Sequence, residues 1–283
     1  MEAKSQEMRF TGGSKYLLDP ELARIVNISM ALELPLLLKG EPGTGKTMLA
    51  HAIAESLQMP LIVLNVKSSM KLVDALYQYD TLTRLNDSRF GDSKRDVSNI
   101  EEYIKMGKIG QAFVSERKVV LLIDEIDKAD TDFQDDMLDV LDQMSFDIIE
   151  IDKTIQTKNR PVVVITSNAK KDLSDPFLGR CNFHHIAFPT PDFMREIIHV
   201  HFPQLEKDLS KSCIETFYRL REIAGIEKKP ATRELINWIR AVRCDPDFRS
   251  ARLGKGEVPY LGVLFKKSND YVVANQHLAR MRA

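Results

Sequence analysis

The feature that most restricts the fold is a glycine-rich segment between an apolar run and a helical pattern. Residues 40–47 read GEPGTGKT and fit the pattern G-x-x-x-x-G-K-[ST]. The glycines let the backbone curl so that successive amide N–H groups face phosphate oxygens, while Lys46 adds a charge for the β- and γ-phosphates. The Thr47 hydroxyl is a ligand for Mg²⁺. The residues predicted to contact the nucleotide are Gly40, Glu41, Pro42, Gly43, Thr44, Gly45, Lys46, Thr47 and Met48.

The surroundings of this segment predict an α/β fold. The apolar run at 34–38 indicates a buried strand before it, and apolar residues repeat at helical spacing between 48 and 57 after it. Short apolar strands separated by helices are typical of a parallel sheet that helices cover on both faces. The further predicted strands are 61–64, 119–123, 162–165 and 185–188.

Strand patterns become rare after Pro189, and helical patterns at 192–201, 212–224 and 231–243 predict a smaller α-helical domain. The stretch 66–118 is too long for one helix and has a polar centre, which indicates a helix interrupted by an insertion. The predicted organisation is a flexible leader at 1–15, a nucleotide-binding core at 16–188 that contains this insertion and a β-hairpin at about 146–157, and a helical lid domain at 189–283.

A second motif follows the predicted strand at 119–123, which ends in Asp124 and Glu125. Consecutive residues of a strand point their side chains in different directions. In a chain that also has a phosphate-binding loop, Asp124 is therefore expected to hold Mg²⁺, and Glu125 is expected to act as the general base on an attacking water. Together the two motifs predict a nucleoside triphosphatase.

Composition excludes several other classes of protein. The chain has 40 Lys and Arg against 41 Asp and Glu, a net charge of −1, which argues against a polybasic nucleic-acid binder. Its three cysteines form no C-x-x-C pair, so neither a disulfide framework nor a zinc site is predicted. No apolar run approaches the roughly 20 residues of a membrane helix, and the first residues do not form a secretory signal. A cytoplasmic location is expected.

Further segments complete an ordered set of motifs, which consists of 36–39 before the loop, LIDEIDKA at 122–129, ITSN at 165–168, FLGRC at 177–181 and KPATR at 229–233. This set resembles the AAA+ ATPases, and among them the MoxR branch. That resemblance implies ATP hydrolysis with Mg²⁺ at subunit interfaces of a ring, expected to be a hexamer. It also implies remodelling or activation of a protein partner, such as a von Willebrand factor A domain protein.

The resemblance also implies roles for single residues. Asn168 resembles sensor 1, which orients the water or touches the γ-phosphate, and Arg180 resembles the arginine finger that reaches a neighbouring subunit. Arg233 resembles sensor 2, and Asn65 resembles a polar switch that contacts the catalytic glutamate. The alternatives are an asparagine that ends a strand, a helix-end ion pair and a solvated arginine. This chain has Gly179 where many relatives carry a second arginine.

Other readings of the function stay open. One is a DNA-engaging motor of clamp-loader or restriction type, because Arg180-Cys181 is similar to a pair found in clamp loaders, and another is a nucleotide-gated scaffold with little turnover. Lys153, Lys158 and Arg160 crowd the predicted hairpin, which either contacts a partner or is simply solvated. Residues 124–152 contain twelve Asp and Glu against one Lys, a net of −11, and predict an acidic face that a basic partner or ring neighbour could read.

Overall fold

The computed structural model describes residues 9–13, 16–90, 95–168, 173–245, 248, 253 and 257–282. The chain divides into two compact units. The first unit contains the residues up to Gly40 together with Lys46–Ile186, and the second contains Glu41–Gly45 together with the residues from Ala187 onward.

The first unit is built on a five-stranded sheet in the order β2-β5-β8-β1-β9, with every pair of neighbours parallel. This confirms the predicted α/β architecture. The strands in chain order are β1 (Leu36–Lys39), β2 (Leu61–Asn65), β3 (Tyr77–Tyr79), β4 (Ile104–Met106), β5 (Val120–Asp124), β6 (Ser145–Ile148), β7 (Lys153–Gln156), β8 (Val162–Ser167) and β9 (Asn182–His185).

Helices surround the sheet and make up the described part of the second unit. Those of the first unit are α1 (Pro20–Leu32), α2 (Lys46–Ser56), α3 (Leu72–Leu76), α4 (Thr81–Phe90), α5 (Lys108–Phe113), α6 (Thr131–Gln143) and α7 (Asp175–Gly179). Those of the second are α8 (Pro191–His201), α9 (Lys207–Arg221), α10 (Thr232–Cys244), α11 (Leu261–Leu264) and α12 (Ser268–Arg282).

Both faces of the sheet are buried. Successive strand residues point to opposite sides, and each side packs into an apolar cluster. In β5, Leu121 and Ile123 face one apolar cluster, which also includes residues of α5 and α6. Val120 and Leu122 face the other, which includes residues of α1 and α2. A strand buried on both faces needs an unbroken apolar run, which is why β1, β5 and β8 are readable in the sequence.

The insertion between β2 and β5 lies where the sequence predicts a helix interrupted by an insertion, and the short helices α3 and α5 stand on either side of it. It contains an antiparallel pair, β3 with β4, in the register Tyr77 with Met106 and Tyr79 with Ile104. Tyr77 is buried and stacks on Phe146 with ring centroids 6.2 Å apart. Strands of three residues are too short to leave a clear period in the sequence, so this pair was not predicted.

Two predictions need correction in the first unit. The leader is not loose throughout, because Phe10 is 1% exposed and its N–H and C=O pair with the Asn27 side chain at 2.8 and 3.0 Å. The predicted leader residues 1–8 and 14–15 lie outside the described residues. The fifth strand runs from Asn182 to His185 rather than from 185 to 188, because its neighbour in the sheet, β1, ends at Lys39, which is in register with His185.

The second unit has its own apolar core. Its largest fully buried side chain is Trp238 on α10, whose Nε1 donates a hydrogen bond to the Pro259 carbonyl at 2.7 Å. Residues of α8, α9, α10, α11 and α12 contribute to this core. Across the part of the chain that the structure describes, no helix is both long and apolar enough to cross a membrane.

Candidate functional site

The predicted phosphate-binding loop runs from Gly40 to Lys46, where α2 begins. Gly43 and Gly45 have φ angles of 80° and 93°, which residues with a side chain rarely adopt. Lys46 is buried, and its Nζ donates a hydrogen bond to the Gly40 carbonyl at 2.9 Å, so that it crosses the base of the loop. The positive N-terminus of α2 follows directly. Curled backbone, buried cation and helix terminus together suit a phosphate group.

The other loop residues divide by exposure. Thr44 is buried, and its Oγ1 donates a hydrogen bond to the Glu41 carbonyl at 2.9 Å. Pro42 is exposed, as is Met48 in the first turn of α2. Thr44 therefore braces the loop from within, while Pro42 and Met48 face solvent.

The Thr47 hydroxyl meets the carboxyl end of β5. Its Oγ1 donates a hydrogen bond to Asp124 Oδ1 at 3.0 Å, and the same carboxylate oxygen accepts one from Thr166 Oγ1 at 2.7 Å. Hydroxyl and carboxylate oxygens are ligands that Mg²⁺ prefers, and this ion usually takes only one or two carboxylates from a protein. Thr47 and Asp124 therefore fit the metal-binding roles that the sequence predicts for them.

Glu125 adopts a left-handed backbone conformation, with φ 61° and ψ 52°. Such a conformation costs about 1–2 kcal/mol for a residue other than glycine, so surrounding contacts must hold it. Its N–H donates to Thr166 Oγ1 at 2.9 Å, and Asn168 Nδ2 donates to its Oε1 at 2.8 Å. Lys128 Nζ contacts its Oε2. The hydrogen bond with Glu125 raises the pKa of Lys128.

Thr166 and Asp127 hold other residues of the site in position, and neither was predicted from the sequence. Thr166 is 1% exposed and links Asp124 to the backbone of Glu125. Asp127 is 2% exposed, and its Oδ1 accepts the Asn168 N–H at 3.2 Å. A signal for Thr166 does exist: it is the first hydroxyl residue after four apolar residues of β8, the strand next to β5.

Arg180 lies at the end of α7 and is bound to α6. Its Nε is 2.8 Å from Asp142 Oδ2 and its Nη2 is 3.6 Å from Asp139 Oδ1, with 42% of the side chain exposed. Within one chain it thus forms the helix-end ion pair that was the alternative reading. No heavy atom lies within 4 Å of a Cβ built on Gly179, so space does not exclude a side chain there.

Arg233 and Asn65 both have exposed side chains. Arg233 is exposed in the first turn of α10, in the second unit. Asn65 ends β2 in register with Asp124, and its side chain is exposed. Both carboxylate oxygens of Glu125 have other partners, Asn168 and Lys128. The geometry therefore does not bear out a switch contact from Asn65 to Glu125.

The basic residues near the hairpin pair with acids of the same chain. Lys153 is 2.9 Å from Glu101, Lys158 contacts Glu116, and Arg160 is 3.8 Å from Glu33. Exposed ion pairs of this kind contribute little to stability. These pairs favour neither a solvated hairpin nor a hairpin that binds a partner.

The acidic segment 124–152 is partly engaged in internal contacts. Asp130 caps α6 by accepting the Phe133 N–H at 2.9 Å, and Asp135 accepts the Ser174 hydroxyl at 2.9 Å. Asp132 and Asp136 are exposed on the same helix. The acidic face that a partner could meet is therefore smaller than the count of carboxylates suggests.

Comparison with known proteins bears on this site and fold. The sequence model of the ATPase family associated with various cellular activities (AAA) matches residues 36–189, more than half of the chain. No curated protein sequence matches the chain.

Among solved structures, the chain is similar to the RuvB Holliday junction branch migration motor of Thermotoga maritima, with 19% identity and a TM-score of 0.49. The match covers 84% of this chain and 66% of that one, slightly less than two thirds. A RuvB mutant of the same organism gives 18% identity, a TM-score of 0.53, and coverage of 84% and 69%. At this identity the likeness concerns the fold.

Proposed function

Because the chain belongs to the AAA family of ATPases, we propose that it hydrolyses ATP and acts as a MoxR-like AAA+ ATPase. In this proposal it assembles as a cytoplasmic ring, a hexamer, and uses ATP to remodel or activate a protein partner. The observation that carries the catalytic part is the contact between Asn168 and Glu125, beside the Thr47–Asp124 pair.

In the proposed mechanism each residue of the site has a separate task. Lys46 binds the β- and γ-phosphates, and the N–H groups of the loop bind their oxygens. Thr47 and Asp124 would hold Mg²⁺, which when bound neutralises phosphate charge. Glu125 accepts a proton from the attacking water on a carboxylate oxygen, while Asn168 keeps that carboxylate oriented through Oε1. The Lys128 contact must loosen for Oε2 to accept the proton.

Arg180 is the residue that we propose acts on the neighbouring subunit. Its guanidinium is partly exposed, and exchange of the α6 carboxylates for a neighbour's γ-phosphate would neutralise charge that develops in phosphoryl transfer. Arg233 is proposed as the sensor 2 residue of the second unit. Both assignments rest on the resemblance of FLGRC and KPATR to the family's segments.

Mixing of two inactive variants tests the shared site. Arg180→Ala and Glu125→Gln should each lose turnover alone, but a mixed ring contains interfaces that combine Glu125 of one subunit with Arg180 of the other. Equal mixing restores such a pair at about a quarter of interfaces if the contact is head-to-tail. Arg195→Ala, which removes another exposed arginine–aspartate pair, is the matched control and should stay active. No recovery on mixing contradicts action between subunits.

The partner and the ring have their own tests. Light scattering during size-exclusion chromatography should show a larger assembly with ATP than without it. Glu125→Gln held in ATP should retain a protein partner, proposed to carry a von Willebrand factor A domain. Turnover that is instead stimulated by duplex or single-stranded DNA, and that falls steeply with salt, would support the DNA-engaging alternative and contradict the MoxR-like proposal.

A further inference from the structure

Arg221, the last residue of α9, is a buried cation with three partners. Only 9% of its side chain is exposed. Its Nη2 is 2.9 Å from Glu41 Oε2, its Nη1 donates to the Pro230 carbonyl, and its Cζ lies 3.4 Å from the centroid of the Phe188 ring. A guanidinium held by two acceptors and an aromatic face is fixed in position far more strictly than an exposed ion pair.

The Glu41 end of this contact belongs to the predicted phosphate-binding loop. The Glu41 carbonyl accepts the Thr44 hydroxyl at 2.9 Å, so a restraint on Glu41 reaches the middle of the loop. A Cβ added to Gly43 would lie 2.6 Å from the Ala231 Cβ, so the loop also approaches the start of α10 very closely. Two segments, the end of α9 and the start of α10, therefore lie against Glu41–Gly45, and all of these residues belong to the second unit.

We propose that Arg221 is a positioning residue for ATP binding, which holds the phosphate-binding loop in its curled form through Glu41. This inference rests on the proposed role of residues 40–47 in binding the nucleotide. Arg221 itself is not assigned a contact with ATP. Because the loop binds phosphate oxygens before and during the reaction, its misplacement should weaken ATP binding and affect the turnover of bound ATP much less.

The direction in which ATP affinity changes when Glu41 is replaced separates this proposal from a purely electrostatic effect. Glu41 carries a negative charge in a loop that binds a polyanion, so removal of that charge alone should tighten ATP binding. Loss of the Arg221 contact should weaken it instead. A charge-assisted hydrogen bond is worth enough to change an equilibrium about tenfold. The two explanations thus predict shifts in opposite directions.

The experiment measures affinity for a non-hydrolysable ATP analogue by calorimetry, together with kcat and KM, for Arg221→Met, Glu41→Ala and the double variant. We expect the analogue to bind about tenfold more weakly in each single variant, with kcat within about threefold of wild type. The double variant should lose little further affinity, because both changes break the same contact between Arg221 and Glu41. Glu227→Gln, which breaks the exposed pair with Lys267, is the control and should bind normally.

Several outcomes overturn the inference. Unchanged or tighter binding by Glu41→Ala does so, and this variant alters an exposed carboxylate, so it remains informative even if Arg221→Met does not fold. Additive losses in the double variant also contradict it. Lys46→Ala tests the proposed nucleotide site separately from the role of Arg221. If Lys46→Ala binds the analogue normally, residues 40–47 do not form the nucleotide site. If Lys46→Ala fails to bind while Glu41→Ala binds normally, the site stands and the positioning role of Arg221 is wrong.

Discussion

Removal of the Thr166 hydroxyl should disturb both acids of the site at once. Thr166 accepts the Glu125 N–H at 2.9 Å and donates to Asp124 Oδ1 at 2.7 Å, and it is 1% exposed. Thr166→Val keeps the shape of the side chain and deletes both hydrogen bonds. The Glu125 backbone then loses a contact that holds it in the left-handed region.

The size of the effect follows from the two bonds. A neutral hydrogen bond contributes about 1 kcal/mol, and one to a charged group contributes about 1.5–3 kcal/mol, which gives a total of about 2.5–4 kcal/mol. If about half of that total appears in the activation free energy, kcat falls about tenfold. KM for ATP should change less, because the Thr166 hydroxyl forms its hydrogen bonds with Asp124 and Glu125 and not with the phosphate-binding loop.

Steady-state ATPase kinetics of Thr166→Val beside Thr166→Ser check this reasoning. The serine variant keeps the hydroxyl and should retain most of the wild-type kcat, with a loss of about 1 kcal/mol in unfolding free energy from the missing methyl group. Circular dichroism establishes that both variants are folded. A folded Thr166→Val enzyme with kcat within twofold of wild type would refute the proposed role.

Two other predictions concern the loop and the cysteines. Gly43→Ala should lose about 2 kcal/mol or more of stability and most ATP binding, because φ is 80° and the new Cβ would lie 2.6 Å from the Ala231 Cβ. Thermal melting checks this against Gly179→Ala, whose Cβ would have no heavy atom within 4 Å. Equal melting temperatures of the two variants would contradict the prediction. Burial raises the pKa of Cys181 and of Cys213 from 9.0 to about 12, so at pH 8 their thiolate fraction is about a thousandfold below that of an ordinary thiol. The exposed Cys244 should therefore react first with Ellman's reagent, ahead of the partly buried Cys181 and the buried Cys213, and equal rates at all three would refute this order.

The sequence predicted the sheet because its central strands are buried on both faces. Such strands need unbroken apolar runs, and the site residues follow them: the loop that ends at Lys46 follows β1, Asp124 and Glu125 lie at the end of β5, and Asn168 comes directly after β8. In a parallel sheet these carboxyl ends lie at one edge. The contacts of Thr47 with Asp124 and of Asn168 with Glu125 agree with that expectation.

The missed features depend on contacts between residues far apart in the chain. Thr166 reads as an ordinary strand residue until β8 lies beside β5, and the buried Phe10 stands alone in a polar stretch without a period. Arg221 reads as a cation that favours the end of a helix, and nothing in its neighbours along the chain indicates Glu41. Local patterns predict elements, whereas these side chains acquire their roles only through tertiary packing.

The most direct test of the proposed site compares phosphate release and ATP binding in Glu125→Gln with those of the wild type. Glutamine keeps the size of the side chain and can still pair with Asn168, but it cannot accept the proton of the attacking water. If Glu125 is the general base, phosphate release should fall by about 100-fold or more, while affinity for ATP stays within a few fold of wild type. An unchanged rate of release would contradict the assignment of Glu125 as the general base.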